Sequence, residues 1–153
     1  DAEIENFAFT AGLLHEIGKI ILLINFPEKF KEFLEVKLRN RDRSNHEMEE
    51  EVFGFSHAKI GAHLVGLWGL PDPIVEAILF HETPAECTSS TPSPLTFVHV
   101  ANAFEEEMLK EGDLNVPFKI DQGYLRMVGL HHRIPKWIEQ YQGTYGDIDL
   151  DKL

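Results

Sequence analysis

Gly12-Leu13-Leu14-His15-Glu16-Ile17-Gly18-Lys19 sets an adjacent histidine and carboxylate inside an otherwise apolar run. Gly12 and Gly18 flank the pair and permit a neighbouring element to pack closely. A charge buried in such a run is costly unless a metal ion, a phosphate or a hydrogen-bond network compensates it. Outward from this stretch, apolar residues recur with helical spacing from Ile4 through Phe26, and Pro27 ends the run. Adjacent helical residues point about 100° apart, so His15 and Glu16 reach a common ligand only if it lies against the helix wall between them. A buried histidine bonded to a backbone carbonyl is an equal reading of His15.

The rest of the chain also reads as helices. Pro27 suits the first turn of a second helix with Phe30, Phe33, Leu34 and Leu38 on one face. After a polar turn at Asn40–Asn45, Ser44 and Glu47 form a capping box for a short acidic helix that ends at Phe53-Gly54. Ser56 caps a helix carrying Ile60, Leu64, Val65 and Trp68. Gly69-Leu70-Pro71 breaks the chain, and Asp72 or Pro73 opens a helix with Ile74, Ile78 and Leu79 inward, running to His81. A Ser/Thr/Pro-rich loop, Thr83–Pro94, precedes a long helix from Pro94 to Glu111. Gly112–Phe118 reads as a loop. Asp121–Leu130 and Pro135–Gln142 read as two short helices, with a frayed tail from Gly143. There is no internal repeat, glycine-rich phosphate loop or convincing strand pair. The fold class is all-α.

Composition narrows the function. At 153 residues and 43% hydrophobic, the chain matches one domain with a real core. Its net charge of −12 and its single short basic cluster, Lys37–Arg43, argue against nucleic acid, which is held by clustered Lys and Arg. The longest apolar run, Ile20–Phe26, is interrupted at Asn25 and falls short of the ~18 residues that span a bilayer. No membrane partner is therefore expected. Cys87 is the only cysteine, lies in the polar loop and suits a reducing cytoplasm.

Five histidines fall in or at the ends of core helices: His15, His57, His63, His81 and His99. His57 follows a helix N-cap and either packs against the helix start or serves the site. His63, six residues on, lies on another face and is expected to meet another helix or solvent. His81, with Glu82 after it, sits at a helix C-terminus, where the dipole alone justifies a histidine. Glu82 then reads as a solvated carboxylate. His99 and Asn102 share a helix face, and a buried Asn102 must be hydrogen-bonded, either to a metal-bound water or to a neighbouring helix.

Taken in order, these residues resemble the HD superfamily of metal-dependent phosphohydrolases, and most closely the HD-related output domain, HDOD. The segments that carry the resemblance are 8–19, 53–62, Trp68-Gly69-Leu70-Pro71 with 74–78, His81, and Val98-His99-Val100-Ala101-Asn102. The resemblance implies an HD-like bundle of about six to eight helices. It places residues 1–142 as the C-terminal, HD-like half of such a domain, with 143–153 as tail. In the catalytic HD-GYP branch the positions matching His15, Glu16, His57, His81, Glu82 and Asn102 bind iron or a similar metal, and the lysine matching Lys19 contacts substrate phosphate. Three positions depart from that pattern: Glu16 and Asn102 each stand for Asp, and Glu82 for a second His. The implied function is a bacterial signal-transduction output module that acts through contact with another signalling protein or domain, without catalysis. No cofactor is expected, beyond iron, manganese or zinc at a vestigial site. The alternative is a phosphohydrolase acting on nucleotides or cyclic dinucleotides. An apolar face left by the family's N-terminal half is expected to make the chain self-associate.

Overall fold

The computed structural model describes residues 2–40, 43–108 and 119–145. It contains α1 (Ala2–Leu14), α2 (Ile17–Asn25), α3 (Pro27–Arg39), α4 (Asn45–Phe53), α5 (His57–Leu67), α6 (Asp72–Phe80), α7 (Pro94–Met108), α8 (Gln122–Met127) and α9 (Ile134–Tyr145). Short 3-10 turns lie at Pro84–Glu86 and His131–Arg133. Among the described residues there is no strand, so the all-α reading holds.

Local chemistry sets most boundaries. Ser44 Oγ accepts from Glu47 N–H while the Glu47 carboxylate reaches back to Ser44 N–H, the expected capping box. Gly54 closes α4 at φ 86°, a left-handed conformation that glycine adopts without strain. Ser56 caps α5 by accepting from Lys59 N–H, and Asp121 caps α8 by accepting from Tyr124 N–H. The helix opening at Pro27 begins where the proline predicts.

The central layer is α5, which packs on both α6 and α2; α6 in turn packs on α1 and α7. The main core joins Ala11, Val65, Ala77, Ile78, Leu95 and Leu125. A second core, Leu22, Phe33, Met48 and Phe53, ties α2 to α3 and α4. Leu22 is fully buried there. Leu22→Ala is expected to lower stability by about 2–5 kcal/mol, the range for deleting a buried leucine side chain, as read from urea melts.

Several expectations are corrected. The run from Ile4 to Phe26 is two helices broken at His15-Glu16, where it was expected to be continuous. The outward face of α3 includes Leu34 and Leu38, and Trp68 is exposed as well. The α3 core face is instead Phe30, Phe33 and Val36. No neighbour lies within 4 Å of the Cβ position of Gly12, so only Gly18 of that pair supports close packing. Cys87, expected in a polar loop, is buried in the main core. Helix α9 continues through Tyr145, past the expected start of the tail; the remaining tail, the loop 112–118 and the end of the long helix beyond Met108 lie outside the described residues.

By length and composition, Ala2–Asn25 is also apolar enough to cross a membrane, with a mean hydropathy of 1.7 over 18 residues. Counting only the uninterrupted run at Ile20–Phe26 missed this. The segment has a broken axis and turns a polar cluster inward, while Phe9, Leu13, Ile20, Leu23 and Ile24 stay exposed.

Candidate functional site

The turn between α1 and α2 builds the site's first wall. His15 lies just past the end of α1, and its Nδ1–H donates to the Gly12 carbonyl at 2.8 Å. That carbonyl is one of the last four of α1, which a helix cannot satisfy internally. The bond fixes the ring so that Nε2 points inward, where it is buried without a hydrogen-bond partner. Because His15 and Glu16 stand in a turn, they are not bound to the 100° splay of helical neighbours. Both face the same space, with His15 Nε2 3.7 Å from Glu16 Oε1.

The second wall is the start of α5. Gly18 of α2 lies against the His57 backbone so closely that a Cβ there would stand 1.9 Å from the His57 carbonyl oxygen. Gly61 faces the same junction from α5. This contact of α2 on α5 brings His57 beside His15-Glu16, with His57 Nε2 3.8 Å from Glu16 Oε1. The third wall is the C-terminal end of α6. His81 is fully buried, and its Nδ1–H donates to the Ile78 carbonyl at 2.8 Å. Its Nε2 stands 3.2 Å from His57 Nε2. Both the His15 and His57 rings meet the His81 ring edge-on.

His15, Glu16 and His81 therefore present ligand atoms all within 4.8 Å of one another, and so do His57, His81 and Glu82. His81 is common to both sets. Glu82 is half-buried at this cluster rather than a freely solvated carboxylate. Asn102 is buried on α7, one turn beyond His99. His99 is not available as a ligand: Nδ1–H donates to the His81 carbonyl at 2.8 Å, and Nε2 accepts from Asp121 N–H at 2.9 Å. Its role is to tie α6 to the start of α8. His63 is exposed.

Sequence reasoning missed Glu49. This α4 carboxylate is fully buried, and its Oε2 accepts from His57 N–H at 2.7 Å and from His57 Nδ1–H at 2.6 Å. The sequence marks this stretch only as a short acidic helix, with Glu49 one of four glutamates between Glu47 and Glu51. The available signal was spacing: Asn45, Met48, Glu49 and Phe53 fall on one helical face, and that face is buried.

Electrostatics follow from the packing. Burial pulls the His57 pKa down, but the Glu49 hydrogen bond, with the charges of Glu82 and Glu49, outweighs it and holds the value above the usual one. His81 lies well below its usual value, first through burial and then through the charge of His57. Burial raises the Glu16 carboxyl, yet the Lys19 ammonium at 2.5 Å and the charge of His57 leave it below the usual range. Lys19 is likewise raised, since Glu16, with Glu82 and Glu49, overcomes its burial.

The donors fit a metal ion in either of two overlapping sets, His15-Glu16-His81 or His57-His81-Glu82. Each imidazole is anchored at Nδ1, which leaves Nε2 for a ligand, and the His15 Nε2 is buried without a hydrogen-bond partner. Two nitrogens on one tetrahedral ion, each bound at ~2.0–2.1 Å, stand about 3.3 Å apart. The observed 3.2 Å between His57 and His81 matches that spacing.

The chain resembles known proteins. It is 31% identical over 74 residues to an uncharacterized protein of Treponema pallidum, covering 48% of this chain and 14% of that protein. Its fold matches the crystal structure of a "putative phosphohydrolase" from Shewanella amazonensis with a TM-score of 0.60 and 20% identity, over 92% of this chain and 51% of that one. The chain thus spans only part of each relative's length, and the structural match speaks for the fold alone. The HDOD domain family model matches residues 2–84, which include the turn at His15-Glu16, Glu49, His57 and the His81-Glu82 pair. Since that match spans more than half of the chain, the protein belongs to the HDOD domain family.

Proposed function

We propose that this HDOD chain is a signalling output module that acts through protein contact, in the cytoplasm, and does not turn over a substrate. The observation that carries this reading is the apolar stripe on α1 and α2. Phe9, Leu13, Ile20 and Ile24 are 56–70% exposed. The inward side of the same two helices leads into the turn at His15-Glu16. Patches of large exposed apolar residues mark interaction sites. Occupancy of the inner cluster and contact on the outer stripe would thus act on the same pair of helices. The cluster also supplies its own cation, since Lys19 pairs with Glu16.

The test has two arms. The chain is expected to self-associate in sedimentation runs, and Ile20→Lys with Ile24→Lys to give monomers with unchanged circular dichroism. It is also expected to leave bis(4-nitrophenyl) phosphate and cyclic dinucleotides intact in the presence of Mn(II), Fe(II) or Zn(II). A monomeric native chain would remove the contact surface. Partition of the native chain into lipid vesicles, lost in the double variant, would reassign the stripe to a membrane.

A second reading is favoured by the 3.2 Å separation of His57 and His81 Nε2. It is a phosphohydrolase with iron, manganese or zinc held by His15, Glu16, His57 and His81, beside Glu82. The ion would supply Lewis-acid polarisation of a phosphoryl oxygen, and Lys19 would stabilise phosphate charge. Metal-dependent turnover lost in His81→Ala would establish it and displace the first reading.

A further inference from the structure

We propose that Glu49 is the positioning residue that makes His57 a metal ligand; the proposal rests on the reading that the histidine cluster holds a divalent cation. Glu49 lies on α4 and lines neither ligand group. It is fully buried, yet it carries a carboxylate, which an apolar setting tolerates only when hydrogen-bonded. Its Oε2 takes both the backbone N–H and the ring Nδ1–H of His57. One oxygen thus fixes the start of α5 and the orientation of the ring at its first residue.

The consequence lies at the far side of the ring. With Nδ1–H given to Glu49, the Nε2 lone pair of a neutral His57 must face His81 Nε2. His81 is held the same way by the Ile78 carbonyl, and His15 by the Gly12 carbonyl. Three rings anchored at Nδ1 and aimed by Nε2 form the outer-shell pattern that orients metal-bound imidazoles. Of the three anchors, Glu49 alone is a carboxylate, which also raises the basicity of the ligand it holds. Anchoring by itself would need only an oxygen acceptor. The second carboxylate oxygen, Oε1, is buried with no hydrogen bond, so the charge exceeds what anchoring requires.

Glu49→Gln separates the two roles, because it retains an acceptor oxygen and the side-chain shape but removes the charge. Co(II) is the probe, followed by its visible absorption in the full chain. Glu49→Gln is expected to weaken Co(II) binding by about 10–100-fold, the usual loss for an outer-shell partner. In the metal-free protein at alkaline pH, 15N spectra of the native ring are expected to show the Nδ1–H tautomer at His57. The variant should show a mixture with Nε2–H. Unchanged affinity and an unchanged tautomer, with Co(II) bound to the native chain, would overturn the role of Glu49 alone. Failure of the native chain to take up Co(II) would overturn the cation reading and the proposal with it. If the variant does not fold, the Co(II)-loaded native protein carries the test. His57 bound through Nε2 should show a slowly exchanging, paramagnetically shifted Nδ1 proton, and its absence would overturn the proposal.

Discussion

Gly18→Ala is expected to destabilise the fold by about 3 kcal/mol or more. The added Cβ would stand 1.9 Å from the His57 carbonyl oxygen, 2.7 Å from its carbon and 3.0 Å from its Cα. Ordinary Cβ contacts begin near 3.4 Å, so α2 must retreat from α5 by more than an ångström. No side-chain rotamer relieves the clash, because every atom met is backbone. Alanine in a helix interior is worth about 1 kcal/mol over glycine, whereas overpacking a core commonly costs about 1–3 kcal/mol and sometimes more. A collision with backbone at the central α2–α5 contact belongs at or beyond the top of that range. Against a typical total of ~5–15 kcal/mol, the loss is a large share of what holds the domain together. Gly66→Ala is the matched control: it is also in a helix, meets nothing within 4 Å, and should stabilise slightly. Urea melts of the two variants check the pair. A Gly18→Ala protein as stable as the native one would show that the α2–α5 contact is looser than described.

Much of the helix order was legible because its signals are local. The Ser44–Glu47 capping box, the Ser56 cap, Pro27 and Gly54 each act within one helical turn, and each fell where its chemistry dictates. What escaped was set by tertiary contact. Apolar spacing runs unbroken through His15-Glu16, yet the helix breaks there. The break lets His15 take the Gly12 carbonyl and brings α2 onto α5. Leu34, Leu38 and Trp68 have the residue type of core but face outward. Spacing alone cannot say which of two apolar stripes meets a partner.

The site divides in the same way. His15, Glu16, His57, His81, Glu82 and Asn102 were readable as an ordered set, and the structure gathers the first five into two overlapping groups that share His81. Gly18 was readable as a packing residue, while its partner, the His57 backbone, was not. His99 looked equivalent to the others, and only the fold reveals that both its ring nitrogens serve the α6–α8 junction. Glu49 was hidden by its acidic neighbours: a carboxylate among carboxylates carries no mark of burial until α4 is docked.

His57→Ala should be the second most damaging substitution, through the charge it strands. Glu49 and His57 are both fully buried, and the variant removes the ring donor 2.6 Å from Glu49 Oε2. Breaking a buried pair by deleting one partner costs about 3–5 kcal/mol, mostly from the unpaired charge left behind. Adding Glu49→Gln to His57→Ala should therefore recover part of the loss, whereas two independent sites would add. The pH dependence has a definite sign. The folded pKa of His57 lies above its unfolded value, so the native state binds the extra proton. Its contribution is fully present below the unfolded value of about 6.5 and is lost as pH rises through the folded pKa. The gap between native and His57→Ala proteins should accordingly narrow toward alkaline pH. His81, with its lowered pKa, has the opposite sign: its stabilisation is present above that same unfolded value and is lost as pH falls toward the folded one. Since His81 is retained in both proteins, and burial is the first cause of its shift, most of that effect cancels in the difference. Paired urea melts across pH, in chelator to keep metal out, measure this directly. A gap below 1 kcal/mol, or one that widens with pH, would mean that Glu49 and His57 are not the coupled buried pair that holds α4 to α5.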